Sequence, residues 1–326
     1  VKKLNFIKRR KIRIVLGVFF GLGILINIVA YNHAYQFTHY SNSLQPKTQI
    51  SPQTSLLEVL SILFFSIENP RPKNHKFPRK SFKTYSLEAP VKIECWEITV
   101  PNARETILLF HGYGGEKSGM LPLADAFLEM GRNVVLVDFR GSGNSEGNEV
   151  TIGYKEAQEV KAVFEFIQNK LNHESNHRLI LFGTSMGATA IMRAVAKLQI
   201  QPDALILECP FASLVNTVKN RFRMRKLPPI LLSELLVFWG SVQGNFWGFD
   251  HEPIRYASQI KCPVLLMHGA KDEKVTLESI QKIYSQLGDK KFLKIFPNLQ
   301  HQSYLLASPN VWKQVVQEFF DNIKTQ

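Results

Sequence analysis

The sequence predicts an α/β fold: a doubly wound, mostly parallel sheet with a short helical cap, behind an N-terminal transmembrane helix. Three observations predict it. Short apolar runs ending in glycine-bearing turns are followed by helix-like stretches, as strands buried in a parallel sheet require. One such turn reads Gly183-Thr184-Ser185-Met186-Gly187. Residues 12–31 form one apolar run directly behind a basic N-terminus.

The N-terminal run comes first. From Ile14 to Ala30 only Asn27 is polar. A helix needs about 20 mostly apolar residues to cross a ~30 Å hydrocarbon core, and this run suffices. Lys2, Lys3, Lys8, Arg9, Arg10, Lys11 and Arg13 precede it, and no Lys or Arg follows until Lys47. That asymmetry keeps the N-terminus cytoplasmic and sends the remainder across, as a single-pass membrane protein with its folded domain on the outer side. A cleaved signal peptide would have a shorter apolar core and a small-x-small site, which Val29–Ala34 supplies poorly, so an uncleaved anchor is expected. The first residue is Val, which fits a non-AUG start in a bacterium or trimming; a bacterial envelope is the expected setting.

Residues 32–83 read as a juxtamembrane linker. The apolar segment 56–67 contains Glu58 and is too short to span, so it either lies in the interface or packs on the domain. Arg71, Lys73, Lys76, Arg79, Lys80 and Lys83 follow, interleaved with Pro70, Pro72 and Pro78. They suit anionic headgroups or a solvated linker equally. Of the net charge of +13, +12 resides in residues 1–83, which hold 14 Lys and Arg against Glu58 and Glu68, while the remaining 26 basic residues face 25 acids. Nucleic-acid binding needs a basic face on a folded domain and is therefore excluded. The cysteines, Cys95, Cys209 and Cys262, are too few for a disulfide framework and are expected as free thiols.

Residues 84–326 are long enough for one α/β domain with a full core. The strand Thr106–Phe110 leads into His111-Gly112-Tyr113-Gly114-Gly115, and Val134–Val137 leads into Asp138–Gly147. Arg178–Phe182 leads into the serine pentad, and the helical stretch Ala188–Leu198 follows it. The strands Ala204–Leu207 and Pro263–Gly269 bracket an insertion, residues 211–261, expected as a cap whose apolar residues line an acyl pocket or pack on the domain. The helical stretch Leu277–Leu287, the strand Phe292–Phe296 and a loop carrying His301 complete the order.

The pentad is a strand–turn–helix corner. Gly183 and Gly187 permit the strained turn that lifts the Ser185 hydroxyl clear of the sheet, so Ser185 is the candidate nucleophile. A serine nucleophile needs a base, and the base an orienting acid. His301 and Asp272 leave later strands at the carboxyl edge, where open α/β sheets place their sites. Glu273 and Glu208 are the acidic alternatives; strand-end position favours Asp272. The N–H groups of Tyr113 and Met186 are candidates for an oxyanion hole. His111 and Gly112 are expected as supporting loop residues beside Gly183 and Gly187, and His111 and His268 as buried structural histidines.

No metal or cofactor is expected. His173–His177 spells H-E-x-x-H, but the motif binds zinc only inside a helix, and here it lies in a polar connection. The loop Asp138–Gly147 lacks the third glycine of a dinucleotide fingerprint, and is expected to fold beside the site and brace it.

With these residues in place the chain resembles the α/β-hydrolase superfamily, and more closely its serine hydrolases with a short cap. The resemblance runs from about residue 84 to the C-terminus. It rests on His111–Gly115, Asp138–Ser145, the serine pentad, Pro210-Phe211-Ala212-Ser213, His268-Gly269-Ala270-Lys271-Asp272 and His301. It implies an α/β-hydrolase fold and a Ser185–His301–Asp272 triad, as in esterases, monoacylglycerol or lysophospholipid lipases and serine aminopeptidases of the S33 type. The expected function is hydrolysis of carboxylic esters, with small-molecule or lipid esters as substrate and the membrane as partner through residues 12–31. A peptidase or amidase, or a non-catalytic scaffold at the membrane, are the alternatives. Oligomeric state is left open.

Overall fold

The computed structural model describes residues 2–324 apart from 44, 47, 49–54, 56, 58–60, 63–66 and 172–175. An eight-stranded sheet forms its centre. The strands are β1 (Lys83–Glu88), β2 (Lys92–Ile98), β3 (Glu105–Phe110), β4 (Asn133–Val137), β5 (Arg178–Thr184), β6 (Ala204–Glu208), β7 (Val264–Gly269) and β8 (Lys291–Phe296). They lie in the order β1-β2-β4-β3-β5-β6-β7-β8. β1, β2 and β4 pair antiparallel, and every pairing from β4 to β8 is parallel.

Both faces of the parallel part are covered, which is why β3, β6 and β7 are buried along their whole length. On one face Leu108, Val135, Leu181 and Leu207 meet α3 (Glu156–Leu171) and α4 (Met186–Leu198). On the other, Ile107, Leu136, Ile180 and Ile206 meet α2 (Leu121–Glu129) and α8 (Pro309–Lys324) through Phe127, Trp312 and Phe320. The edge strand β1 alternates exposed and half-buried residues, as an edge beside solvent does.

The carboxyl ends of the strands are brought level by register. Phe110 pairs with Gly183, Thr184 with Glu208, and Gly269 with Phe296. The connections that follow β3, β5, β7 and β8 therefore open on one edge. Between β6 and β7 lies the cap, built from α5 (Leu214–Met224), α6 (Leu232–Gln243) and α7 (Pro253–Ala257).

The N-terminal helix α1 spans Lys2–Thr38, about 55 Å of rise. Among the described residues one helix, Arg9–Thr38, is long and apolar enough to cross a membrane. It runs seven residues past Tyr31, and its end docks on the domain. Tyr40 N–H donates to Asn148 O at 2.7 Å, and Val150 N–H to Thr38 O at 2.7 Å. Ser41 N–H donates to Asn69 O at 2.9 Å and Gly143 N–H to Pro72 O at 2.9 Å, so parts of the stretch read as linker are stitched to the domain by backbone.

In the basic stretch, Arg71 donates to the carbonyls of Gly143, Ser145 and Gly147, whereas Lys73, Lys76, Arg79, Lys80 and Lys83 are exposed. The apolar segment 56–67 lies mostly outside the described residues. So does most of the H-E-x-x-H run; its last member, His177, pairs through Nε2 with Thr106 Oγ1 at 2.8 Å. All three cysteines are free, Cys95 and Cys209 buried and Cys262 half-buried.

Candidate active site

Ser185 sits at the corner between β5 and α4 with φ 53° and ψ −110°, a conformation that side chains rarely adopt. Its neighbours explain how the corner is tolerated. A Cβ at Gly187 would lie 2.3 Å from Phe110 O, and one at Gly183 would lie 2.6 Å from Ala188 N. Only glycine lets α4 start this close to the end of β3. Ser185 N–H donates to Glu208 O at 2.8 Å, which ties the corner to β6.

His301 and Asp272 arrive from the loops after β8 and β7. His301 Nε2 lies 3.1 Å from Ser185 Oγ, and His301 Nδ1 lies 2.6 Å from Asp272 Oδ2. Residues 185, 272 and 301 are far apart in the chain, and one sheet edge makes them neighbours. The two loops are pinned to each other: Lys271 N–H donates to Leu299 O at 2.9 Å. A Cβ at Gly269 would fall 2.4 Å from that same Leu299 O. Asp272 Oδ1 accepts N–H bonds from Lys274 at 2.8 Å and Val275 at 3.0 Å, leaving Oδ2 for the imidazole. Burial pulls the Asp272 carboxyl up, but the hydrogen bond and charge of His301 outweigh it and hold it below the ordinary carboxylate range. An ionised Asp272 fixes the proton of His301 on Nδ1 and leaves Nε2 as the acceptor facing Ser185.

Glu208 does not reach the imidazole. Its carboxylate accepts from Trp312 Nε1 at 2.8 Å and from Thr184 Oγ1 at 3.4 Å, and burial pushes it up to about 7. Glu273 lines the outer cleft together with Met224, Lys271, Lys274 and Gln300, beside Asp272 and His301.

The turn after β3 lies against the serine. A Cβ at Gly112 would be 3.3 Å from Thr184 O and 3.6 Å from the Ser185 Cβ, which places Tyr113 directly beside the corner. Met186 is the first residue of α4, where backbone N–H groups have no helical acceptor and carry the positive end of the helix dipole. His111 is buried; its Nε2 accepts Phe139 N–H at 3.1 Å and its Nδ1 meets Gly112 O at 2.8 Å, so the Nδ1–H tautomer satisfies both. Burial lowers the His111 pKa and pushes that of His268 down to about 4, keeping both neutral.

The loop Asp138–Gly147 braces this turn through Phe139. Asp138 Oδ1 accepts Lys117 N–H at 2.7 Å, and its other oxygen pairs with the buried Lys117 ammonium. A Cβ at Gly143 would fall 1.8 Å from Asp138 Oδ2, so that glycine is dictated by the buried carboxylate.

Two contributors escaped the sequence reading. The Tyr40 hydroxyl accepts Gly114 N–H at 3.0 Å. Asn69 Nδ2 donates to the Tyr113 hydroxyl at 3.0 Å, and that hydroxyl donates to Phe37 O at 2.9 Å. Both lie before residue 84, in a stretch whose composition carries no folding signal, so no pattern pointed to them.

Cys209, Asp272 and His301 bring possible metal-ligand atoms within 4.8 Å of one another. The set suits a metal poorly. Asp272 and His301 turn their facing atoms to each other, and burial raises the Cys209 thiol well above its ordinary range, which keeps it protonated.

A family model for serine aminopeptidases of the S33 type matches residues 101–244, and one for PhoPQ-activated pathogenicity-related proteins matches residues 250–326. The uncharacterized protein YqkD of Bacillus subtilis is 28% identical over 233 residues, 71% of this chain and 76% of its own length. The lysophosphatidylserine lipase ABHD12 of Danio rerio is 29% identical over 217 residues, and the match spans 61% of this chain and about half, 52%, of that protein. Among solved structures, the Pyrococcus furiosus esterase Pf2001 superposes with a TM-score of 0.66 at 24% identity, covering 78% of this chain and 96% of that one. Sheet order, strand-end loops and these likenesses together show that the chain has the α/β-hydrolase fold.

Proposed function

We propose that the chain is a membrane-anchored serine hydrolase that cleaves carboxylic esters, with acyl lipids or lysolipids as the substrate class. The observation that carries this reading is the chain of contacts from Ser185 Oγ to His301 Nε2, 3.1 Å, and from His301 Nδ1 to Asp272 Oδ2, 2.6 Å. In this reading Ser185 Oγ attacks the ester carbonyl carbon as His301 Nε2 takes its proton. Asp272 stabilises the imidazolium. The N–H groups of Tyr113 and Met186 take the oxyanion. His301 returns the proton to the departing alcohol, then draws one from the water that attacks the acyl-enzyme and hands it to Ser185 Oγ as the acid leaves.

The activities of these similar proteins, an esterase and a lysophosphatidylserine lipase, agree with ester chemistry. The aminopeptidase model over residues 101–244 favours a second reading, cleavage of peptides. An aminopeptidase needs an acid to hold the substrate ammonium. Glu208 is buried against Trp312, and Glu252 is paired with Arg255, so neither of these acids is poised for it.

The test uses the full chain in detergent with p-nitrophenyl esters of graded length beside aminoacyl-anilides. Ester turnover that vanishes in Ser185→Ala, together with loss of fluorophosphonate labelling, is the expected result. Anilide turnover above ester turnover selects the peptidase, and labelling that survives Ser185→Ala refutes the assignment.

The membrane orientation is part of the same proposal, with the N-terminus cytoplasmic and the domain outside. It rests on the basic residues before the span and their absence from 14 to 46. An alkaline phosphatase fused after residue 326 should be active. An inactive phosphatase with a fluorescent GFP at the same position puts the domain in the cytoplasm.

A further inference from the structure

Asn27 is the one polar side chain between Ile14 and Ala30, and the cap supplies its partner. Trp239 Nε1, on α6, donates to Asn27 Oδ1 at 3.2 Å. The Trp239 ring meets Tyr31 edge-on at 5.3 Å, and Gln243 Nε2 donates to Tyr31 O at 2.9 Å. At Gly240 a Cβ would lie 3.5 Å from Thr38 Cγ2, so the two helices run close together. If the apolar span ends at Tyr31, Asn27 lies about 6 Å inside the hydrocarbon boundary. α6 reaches that depth through the Trp239 side chain.

The surface around this contact is apolar and uncovered by any described residue. Ile230 is 76% exposed, Leu231 59%, Val242 53% and Trp247 50%. These values match the lipid-facing side of α1, where Phe20 is 72% exposed. Arg223 at the end of α5, and Arg225 and Lys226 on the α5–α6 connection, are exposed, where anionic headgroups would lie. Exposed apolar area of this kind on a folded domain marks an interaction surface. Its continuity with the span decides the occupant.

We infer that the cap is seated in the outer leaflet of the bilayer, with α6 and the turn before it immersed among the acyl chains beside α1. The inference rests on the anchor reading above and deepens it. The same cap carries Met224, which lines the cleft beside His301 and Asp272, so the cap borders the entrance to the candidate site. An acyl chain then enters sideways from the leaflet without passing through water.

The test is spin-label accessibility in the full chain, reconstituted in phosphatidylcholine–phosphatidylglycerol vesicles with Cys262→Ser to remove the accessible thiol. Nitroxides are placed by Ile230→Cys, Val242→Cys, Phe20→Cys and, at an exposed ring packed on Trp96 of β2, Phe77→Cys. The expected result is oxygen collisions several-fold above nickel-chelate collisions at 230, 242 and 20, and the reverse at 77. Nickel-accessible labels at 230 and 242 with a lipid-like label at 20 overturn the cap's immersion and leave the anchor standing. Labels at 230 and 242 shielded from both reagents show a protein cover and overturn it as well. A water-exposed label at 20 overturns anchor and cap together.

Discussion

Glu208 offers a test of how the sheet tolerates a carboxyl beneath the candidate nucleophile. It is 1% exposed, and its pKa is pushed from 4.5 up to about 7 by burial, which the hydrogen bonds from Trp312 and Thr184 only partly offset. A carboxyl with a raised folded pKa prefers its proton in the native state. Its stabilising contribution is complete below about pH 4.5, the unfolded value, and is lost as pH rises through about 7. That interval is worth about 3 kcal/mol, an upper figure for a single group. Glu208→Gln keeps an acceptor for the Trp312 indole and cannot ionise. At pH 8 it should raise the thermal midpoint of the full chain in detergent by roughly 5–10 °C, since about 1 kcal/mol shifts a domain of this size by 2–4 °C. At pH 4.5 the two proteins should melt together. Fluorophosphonate labelling should persist, because Ser185 N–H donates to the Glu208 backbone carbonyl, which the variant keeps. A variant that melts lower than wild type at pH 8 would show that Trp312 needs a carboxylate there, and would refute the reasoning.

Other expectations concern the site directly. Asp272→Asn should cut ester turnover by about 10⁴ and His301→Ala by more, with the Ser185→Ala/His301→Ala pair little worse than either single change; independent, multiplying losses in the pair would contradict a shared unit. Gly187→Ala forces a Cβ to within 2.3 Å of Phe110 O, so it should abolish labelling and lower the thermal midpoint, whereas an active, stable variant would mean that the corner is looser than described. Tyr40→Phe removes the acceptor for Gly114 N–H and should lower kcat several-fold with KM nearly unchanged, by loosening the turn that carries Tyr113; unaltered kcat would show that this bond does not position the turn. By the same logic a soluble fragment starting at residue 70 loses both Tyr40 and Asn69, and should show a lower kcat than the full chain.

Much of the site was legible in the sequence because its parts are local. The Gly183–Gly187 pentad announces its own corner: both glycines are needed by atoms within a few ångströms, and the strand and helix on either side have clear apolar patterns. Asp272 and His301 were reachable because each follows a buried strand run, and strand ends in a parallel sheet share one edge. The expected structural role of His111 likewise followed from its place before a glycine at a strand end.

Other relations depend on the way distant segments pack, and local patterns do not encode them. Glu208 and Asp272 are both acids at strand ends. What separates them is that Trp312, from the last helix, takes the one while His301 takes the other. Tyr40 and Asn69 sit in a stretch with no periodicity, and they reach the turn beside Ser185 only because α1 continues to Thr38 and docks there. The partner of Asn27 lies more than two hundred residues away on α6. The sequence by itself determined the fold class, the candidate nucleophile and the apolar span, since each is written in contiguous residues. Tertiary structure alone decided which acid faces the imidazole, what steadies the turn carrying Tyr113, and that the cap lies against α1, since those depend on contacts between side chains remote in the chain.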